Sequence, residues 1–438
     1  MNTESKKNRH ESGQMMVILV LVTIGLLAFT GLAIDGSLLM LEKRQTQNIS
    51  DVLAINAASA YCRGEDINVI INSILTNNYG STDILTDITI NQPPLSGPYT
   101  GDPDSVEIIM HTTLQGGLVT TVYDQPIENT SRAVAKCTPG VPEAVGGGNA
   151  IISLNPNQKA AFTNTGNAQL YVANGGIFVN SKHDEALVLY GSNELYVKAD
   201  SISIVGGYSI GHNPIVDPPL PTIGVPPMTD PLAAVDPPVY APGSGTCKTV
   251  LESAGSTPVI MHPGWYCSVK ITSDADVTLM PGTYYIDDDF TLTAKGDLTA
   301  NNVNLIFQDG NFRVTGQGDF DATEIFIYLQ NGELDLTGKG EMNITPPASG
   351  TYKGMTFYQD RNNNNEVKIT GQGFSHIEGT FYAPAANIEI TGQGEDASYI
   401  AQFIADTYKI SGKGAISLSY DSGAVYETTS SDSIDLLE

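Results

Sequence analysis

An uncharged apolar segment near the N-terminus constrains this chain more than any other feature. Met15 to Ile34 reads MMVILVLVTIGLLAFTGLAI, twenty residues without a charge. At about 1.5 Å per residue, a helix of this length crosses the roughly 30 Å hydrocarbon core of a bilayer. A cleaved signal peptide has an apolar core of only about 7–15 residues, although Gly31-Leu32-Ala33 resembles a cleavage site. We therefore predict a single transmembrane helix over residues 15–34 that contacts membrane lipid.

The flanking charges bear on the topology of this helix. Three basic residues precede the segment, and Lys43 and Arg44 follow it; basic residues favour the cytoplasmic side. The N-terminal tail, residues 1–14, is short and polar. We predict a single-pass protein of the cell membrane with this tail in the cytoplasm and the bulk of the chain extracytoplasmic.

The four cysteines support an oxidising compartment. Cys62, Cys137, Cys247 and Cys267 fall as two pairs in separate regions, without the CxxC spacing of a zinc or redox site. Two disulfides, Cys62–Cys137 and Cys247–Cys267, are predicted. Four buried free thiols are the alternative, but they suit a cytosolic protein and the membrane segment argues against that.

Composition favours β structure and disfavours nucleic acid as a partner. Only 16% of the 438 residues are charged, and the 44 glycines fit an architecture with many turns. The formal net charge of -27 opposes phosphate backbones through a like-signed field. We expect several domains, most of them β, and no binding of nucleic acid.

A small α+β module is predicted after the membrane segment. Neither Pro nor Gly interrupts the chain from Ser37 to Arg63, so the first helix should continue to about Tyr61. A second helix is indicated by an apolar stripe, and strand patterns follow it within residues 35–140. The stripe is Ile67, Ile70, Ile71, Ile74 and Leu75, and the strand patterns cover Asp87 to Asn91, Val106 to Thr112, Leu118 to Tyr123 and Ser131 to Cys137.

The N-terminal residues resemble a known family. The segment SGQMMVILVLVTIGLLAFTGLAIDGSLLMLEKRQTQNISDVLAINAASA is similar to the start of TadG-like proteins of the Flp (tight adherence) pilus system. Its features are the apolar span, Asp35-Gly36, Glu42 to Gln45, Gln47-Asn48 and Asp51 before alanines. The resemblance covers residues 12–60, and it implies a pilin-like module and a pilus-assembly role at the cell envelope.

The chain departs from relatives of this system in two ways. A processed type IV pilin carries a glutamate five residues after the cleaved glycine, whereas the fifth residue after Gly13 is Ile18. This difference argues against prepilin processing. The Asp-x-Ser-x-Ser metal-adhesion motif of von Willebrand A domains, which some relatives append, does not occur in the sequence.

A repeated turn motif predicts the architecture of the C-terminal half. Thr/Ser-Gly-Lys/Gln-Gly recurs at intervals of about 21 residues, with one longer interval around Thr345 to Gly354. Apolar residues alternate before each motif, as inward-facing strand residues do. The motif glycines, expected to turn corners without a Cβ penalty, are Gly316, Gly318, Gly338, Gly340, Gly371, Gly373, Gly392, Gly394, Gly412 and Gly414.

The predicted fold class is mainly β, with a right-handed parallel β-helix or solenoid over residues 141–422. A β-sandwich is the alternative. A similar cadence at Thr165-Gly166 and Tyr190-Gly191 should begin the solenoid, and a proline-rich strap over residues 213–243 should cross it. Residues 423–438 read as an unpacked acidic tail, so we expect the last coil, near Tyr420, to form a free tip guarded by charge.

Candidate catalytic and metal-binding residues have weak support. Gly207 to Gly211 matches the G-x-S-x-G elbow, but the prolines that follow cannot open the helix an elbow requires. Asp287-Asp288-Asp289 fits a solvated turn, and residues 360–366 lack the pattern of a calcium loop, although calcium there is left open. The histidines show no ligand spacing: His10, His111, His183, His212, His262 and His376.

The functional prediction is a surface scaffold, adhesin or pilus-assembly component without cofactor, metal or catalytic site. Other pilus or envelope proteins and surface polysaccharide are the partners we expect. A polysaccharide-active enzyme is the alternative, since parallel β-helices include lyases and hydrolases of polysaccharides. That alternative requires carboxylates that converge on one lateral face of the solenoid.

Overall fold

The computed structural model describes residues 12–79, 87–114, 127–191, 194–211, 214–253, 255–293, 295–371, 375–393, 397–430 and 432–438. These residues form two compact units. The first, here called the anchor unit, contains residues up to Val141 together with Thr429–Glu438, and the second, the body, spans Pro142–Thr428. The body is therefore inserted in sequence between two segments of the anchor unit.

The anchor unit begins with one long helix. α1 spans Ser12–Cys62 and α2 spans Ile67–Tyr79. From Met15 to Leu41 most apolar side chains of α1 are exposed, with Phe29 at 73%; this helix is long and apolar enough to cross a membrane. Its later part carries small buried residues such as Ala54, Ala57 and Ala58, which allow close packing against a sheet.

A four-stranded antiparallel sheet completes this unit in the order β1-β2-β3-β34. The strands are β1 Asp87–Asn91, β2 Ser105–Leu114, β3 Ile127–Thr138 and β34 Ser433–Leu436. Val106, Ile108 and Met110 of β2 form a core with α1. The Cys62–Cys137 disulfide joins the end of α1 to β3, with Cα atoms 6.0 Å apart. The strand predicted at Leu118 to Tyr123 lies outside the described residues.

The end of the chain corrects the prediction of a free acidic tail over residues 423–438. Ile434 is in register with Cys137 of β3 and packs against the core of the anchor unit. β33, Glu427–Thr429, forms a two-stranded sheet with β4, Pro142–Ala144. Ile434 and Leu436 alternate with polar residues, and this pattern forms a strand where β3 offers an edge, despite the acidic residues around it.

The body is a β-solenoid of about 12 turns, which confirms the prediction of a mainly β chain with a solenoid. After the turn Val145–Gly148, three strands per coil stack in parallel ladders. The strands are β5 Asn149–Ser153, β6 Phe162–Gly166, β7 Gln169–Ala173, β8 Gly176–Val179, β9 Leu187–Gly191, β10 Tyr196–Lys198, β11 Ser201–Ile204, β12 Tyr208–Ile210, β13 Ile215–Asp217, β14 Thr222–Ile223, β15 Lys248–Glu252, β16 Val259–Met261, β17 Gly264–Ile271, β18 Val277–Leu279, β19 Gly282–Ile286, β20 Phe290–Leu292, β21 Leu298–Ala300, β22 Val303–Phe307, β23 Phe312–Val314, β24 Phe320–Ala322, β25 Ile325–Leu329, β26 Leu334–Leu336, β27 Met342–Ile344, β28 Met355–Gln359, β29 Val367–Gly371, β30 His376–Gly392, β31 Ala397–Gly412 and β32 Ala415–Ser419.

Inward-facing apolar residues from successive coils stack into one continuous core. Phe290 pairs with Phe312 and Phe312 with Leu334, and all three are buried. Each coil alone would expose these side chains, so the stacking of neighbours provides the burial.

The order of the coils differs from the predicted order. β31 and β32, the last strands of the body, pair with β5, β6 and β7, the first ones. The coils after Asn149 therefore extend the stack beyond its C-terminal coil, and the predicted free tip at Tyr420 is wrong. The repeats looked alike, and a repeat pattern does not reveal which coil is the neighbour of which.

Candidate functional site

One outer side of the body carries a column of large side chains at consecutive positions in register. Starting near β17, each residue is the parallel partner of the next in the neighbouring coil. The column, called the tyrosine ladder below, is Trp265, Tyr285, Ile306, Tyr328, Tyr358, Tyr382, Ile404, Ile152 and Phe178. Most of these side chains are buried although they point away from the solenoid core, so another segment covers them.

The covering segment is the proline-rich strap between β14 and β15. Its residues contact the coils in the reverse of their order along the stack. The Met228 N–H donates to Asn180 Oδ1, the Tyr382 hydroxyl donates to Asp230, and the Tyr358 hydroxyl donates to the Val235 carbonyl. The prolines hold this chain extended. The strap thus returns along the ladder from the coils near β14 to those near β15, while the first residues of the predicted range form β13 and β14 instead.

Arg361 is the central polar contact beneath the strap. Its guanidinium donates to the carbonyls of Leu232 and Val235, both at 2.7 Å, and its Nε donates to the Tyr382 hydroxyl at 3.1 Å. The same group lies 5.7 Å from the ring centroids of Tyr358 and Tyr382. Charged donors bound to carbonyls form stronger hydrogen bonds than neutral ones, so this residue fixes the middle of the strap.

The tyrosine hydroxyls also find partners. Tyr328 donates to Asp360 at 3.0 Å, Tyr382 donates to Asp230 at 2.5 Å, and Tyr240 of the strap donates to Asp287. Burial raises the pKa of Tyr358 to about 12, and that of Tyr382 well above its usual value, where the bond to Asp230 adds to the effect of burial. These phenols remain protonated donors at neutral pH and serve to hold the strap.

A disulfide closes the far end of the strap. Cys247 is bonded to Cys267 of β17, with Cα atoms 5.0 Å apart. Close by, the indole of Trp265 donates to Asp287 at 2.7 Å. Trp265 belongs to the tyrosine ladder on the outer side of the body, and Asp287 accepts hydrogen bonds that the prediction of a solvated turn did not include.

A second side of the body carries a column of alternating charge. Arg313, Asp335, Lys368, Glu389 and Lys409 are successive register partners. Strands in a sheet lie about 4.8 Å apart, so identical charges in register would repel, and alternation removes that repulsion. Lys409 lies 2.8 Å from Glu389. This side is polar and largely self-paired.

The inserted segment in the longest repeat interval lines an open cleft of about 450 Å³. Glu324 and Glu378 are among its lining residues, with Lys353 and the backbone near Gly354. Glu378 also accepts a hydrogen bond from His376 at 2.8 Å. Glu324 and Glu378 are therefore candidates for the carboxylates that the polysaccharide-active alternative requires.

Several of the repeat glycines lie where neighbouring coils approach closely. A Cβ on Gly318 would lie 2.1 Å from the carbonyl oxygen of Gly296, and one on Gly340 would lie 2.0 Å from that of Gly318. The close approach of neighbouring coils, rather than a left-handed backbone, excludes side chains there. Gly412 has both constraints, with φ of 109° and a Cβ distance of 2.1 Å to the Gly392 oxygen. Gly373 and Gly394 lie outside the described residues.

The other predicted candidates are dispersed. Ser209 lies in β12, in register with Val188, and His212 is outside the described residues. In the 360–366 loop, Asp360 accepts bonds from Asn362 and Tyr328, and Asn363 Oδ1 accepts from Asn365, so these oxygens bond within the protein. Within the described part of the chain, no group of three His, Cys, Asp or Glu is placed to hold a metal.

The sequence did not single out the tyrosine ladder or Arg361. The available signal was a second large residue beside the inward-facing one, as in Tyr284-Tyr285, Ile327-Tyr328 and Phe357-Tyr358. Consecutive large residues in a strand point to opposite sides. Such pairs at the coil period therefore indicate a surface that something covers.

Comparison with known families supports the N-terminal resemblance. Residues 13–60 match a family described as putative Flp pilus-assembly TadE/G-like, and residues 251–423 match a domain of unknown function, DUF7305. The first match covers α1, and the second covers the body from β15 through β32. No curated protein and no solved structure matches the chain.

Proposed function

We propose that this protein is a membrane-anchored structural component of the pilus-assembly class, with its solenoid body outside the cytoplasm as a scaffold or adhesive surface. The match of residues 13–60 supports the pilus context. The exposed apolar length of α1 supports anchoring, and two disulfides are consistent with an oxidising compartment.

The observation that carries the proposal is the way the chain connects its parts. β3 precedes the body in sequence, β34 follows it, and the two strands are neighbours in one sheet. The body is thereby joined to the anchor unit through both of its chain ends. Two connections suit a part that bears load at a surface, because breaking one contact does not release the body.

Topology can be tested by labelling single introduced cysteines in cells. A membrane-impermeant maleimide should label Asp288→Cys, an exposed turn position of the body, without permeabilisation. It should label Ser5→Cys in the N-terminal tail only after the membrane is opened. The reverse pattern would overturn the proposed orientation.

The enzyme alternative can be separated by the cleft carboxylates. If the protein cleaves an envelope polysaccharide, Glu324→Gln and Glu378→Gln should abolish that cleavage while leaving assembly intact. On the structural proposal, purified protein releases no sugar fragments, and neither substitution changes surface assembly.

A further inference from the structure

The two ends of the body's stack are built differently. At the end formed by β13 and β14, four prolines flank the terminal strands: Pro214, Pro218, Pro219 and Pro221. Proline lacks an N–H and discourages further strand pairing. At the other end, β15 contains no proline, and among the described strands it pairs with β17 alone.

The β15 end leaves core positions incompletely covered. Val250 and Val259 are only partly buried, whereas Val269 and Val277, their partners one coil inward, are fully buried. Leu251 and Ile260, on the outer side of the same strands, are 67% and 62% exposed. A strand edge with apolar side chains of this kind is a template for another strand.

We propose that β15 is the contact surface for a second copy of this chain, which pairs with it antiparallel about a two-fold axis through Val250. In that register Lys248 faces Glu252 of the other copy, Thr249 faces Leu251, and Val250 faces itself. A two-fold contact requires such self-complementarity, and the strand Lys-Thr-Val-Leu-Glu has it in both charge and apolar character.

Charges on the inner side of β15 make the contact selective. Lys248 lies 5.7 Å from the Tyr266 ring at the end of the core, and Glu252 is in register with the buried Ile271. Charges in inward positions discourage pairing with arbitrary strands. An antiparallel copy supplies the opposite charge at each position, so the pairing is closed at two copies and the proline end does not extend it.

The test is disulfide trapping in the full chain, solubilised from membranes in mild detergent. The described cysteines are all in disulfides, so an introduced thiol is distinct. Val250→Cys should oxidise to a linked dimer of twice the chain mass, because opposed residues in an antiparallel pair meet disulfide geometry. Thr249→Cys, two positions out of register with itself, and Val216→Cys at the proline end should stay monomeric.

Other results would overturn the proposal. Equal cross-linking of all three variants indicates random collision, and a ladder of higher oligomers indicates head-to-tail stacking. A Val250→Cys protein that stays monomeric also contradicts it. Disulfide trapping detects only proximity, so Leu251→Pro provides an independent measurement. The mass of this variant in detergent, measured by light scattering, should be that of a monomer instead of a dimer, while both native disulfides still form.

Discussion

Phe403 of the last coil and Ile151 of the first are register partners in adjacent parallel strands. We call this junction, where β31 and β32 pair with β5, β6 and β7, the seam. The chain enters and leaves the body beside the seam, and the strap returns along the outside to connect the two ends of the stack. This arrangement places the first coils on the C-terminal coil and makes the strap the covalent link between the two blocks of coils.

The strap should loosen when its central contact is removed. Arg361→Ala deletes three hydrogen bonds from a charged donor, each worth about 1.5–3 kcal/mol. We expect the hydrogen-exchange protection of residues 228–240 to fall at least several-fold. The control is Arg313→Ala on the side of alternating charge, where Arg313 lies 3.6 Å from Glu333. It should lower the free energy of unfolding by at most about 1 kcal/mol. Equal effects of the two substitutions would show that Arg361 does not hold the strap.

The repeat glycines should tolerate no side chain where coils approach closely. Gly340→Ala puts a Cβ 2.0 Å from a carbonyl oxygen, so coils must separate and we expect a loss of about 1–3 kcal/mol or more in denaturant unfolding. Gly423→Ala, whose nearest neighbour would be 3.5 Å away, is the matched control and should change stability by less than about 1 kcal/mol. A neutral Gly340→Ala would refute the close-approach explanation.

The inward faces of the coils could be predicted from the sequence, but the pairing of the first and last coils could not. The alternation before each Thr-Gly motif identified the inward faces, because strand periodicity is local. The pairing of Phe403 with Ile151 could not be inferred, since every coil offers similar edges and the sequence does not rank them. The role of Arg361 in holding the strap could not be predicted for a related reason. Its partners in the strap are backbone carbonyls, which every residue carries.

The anchor unit should weaken in acid because of one buried carboxylate. Burial of Glu107 acts to raise its pKa, but hydrogen bonds from Ser96, Asn91 and Arg132 outweigh burial and lower the pKa to about 2. A depressed folded-state pKa stabilises the protein fully above the unfolded value near 4.5, and this stabilisation is lost as pH falls from there toward 2.

Hydrogen exchange of β2 peptides across pH 2–6 measures this loss. Glu107→Gln should remove that part of the pH dependence and lower stability at pH 7 by about 3–5 kcal/mol, since Arg132 loses its buried partner. Glu65→Gln, an exposed residue paired with Arg63, is the control and should retain the slope. An unchanged slope in Glu107→Gln would assign the acid sensitivity to other groups.

The Cys62–Cys137 disulfide should contribute substantially to the stability of the anchor unit. It closes a loop with a sequence separation of 75, which the chain-entropy model values at about 4 kcal/mol. Cys62→Ser with Cys137→Ser should therefore expose β3 and β34 to protease at lower denaturant concentration. Protection equal to the wild type would indicate that the sheet and α1 hold together without it.

The seam tests the central claim most directly. Lys409 and Thr163 are register partners on the outer side of the seam, so Lys409→Cys with Thr163→Cys should form a disulfide in the full chain, identified by mass spectrometry of the linked peptides. The pair Lys409→Cys with Val188→Cys, one coil further away, should remain reduced. If the Lys409–Thr163 pair stays free, or the Val188 pair links as readily, the first coils do not stack on the last one and the account of the body is wrong.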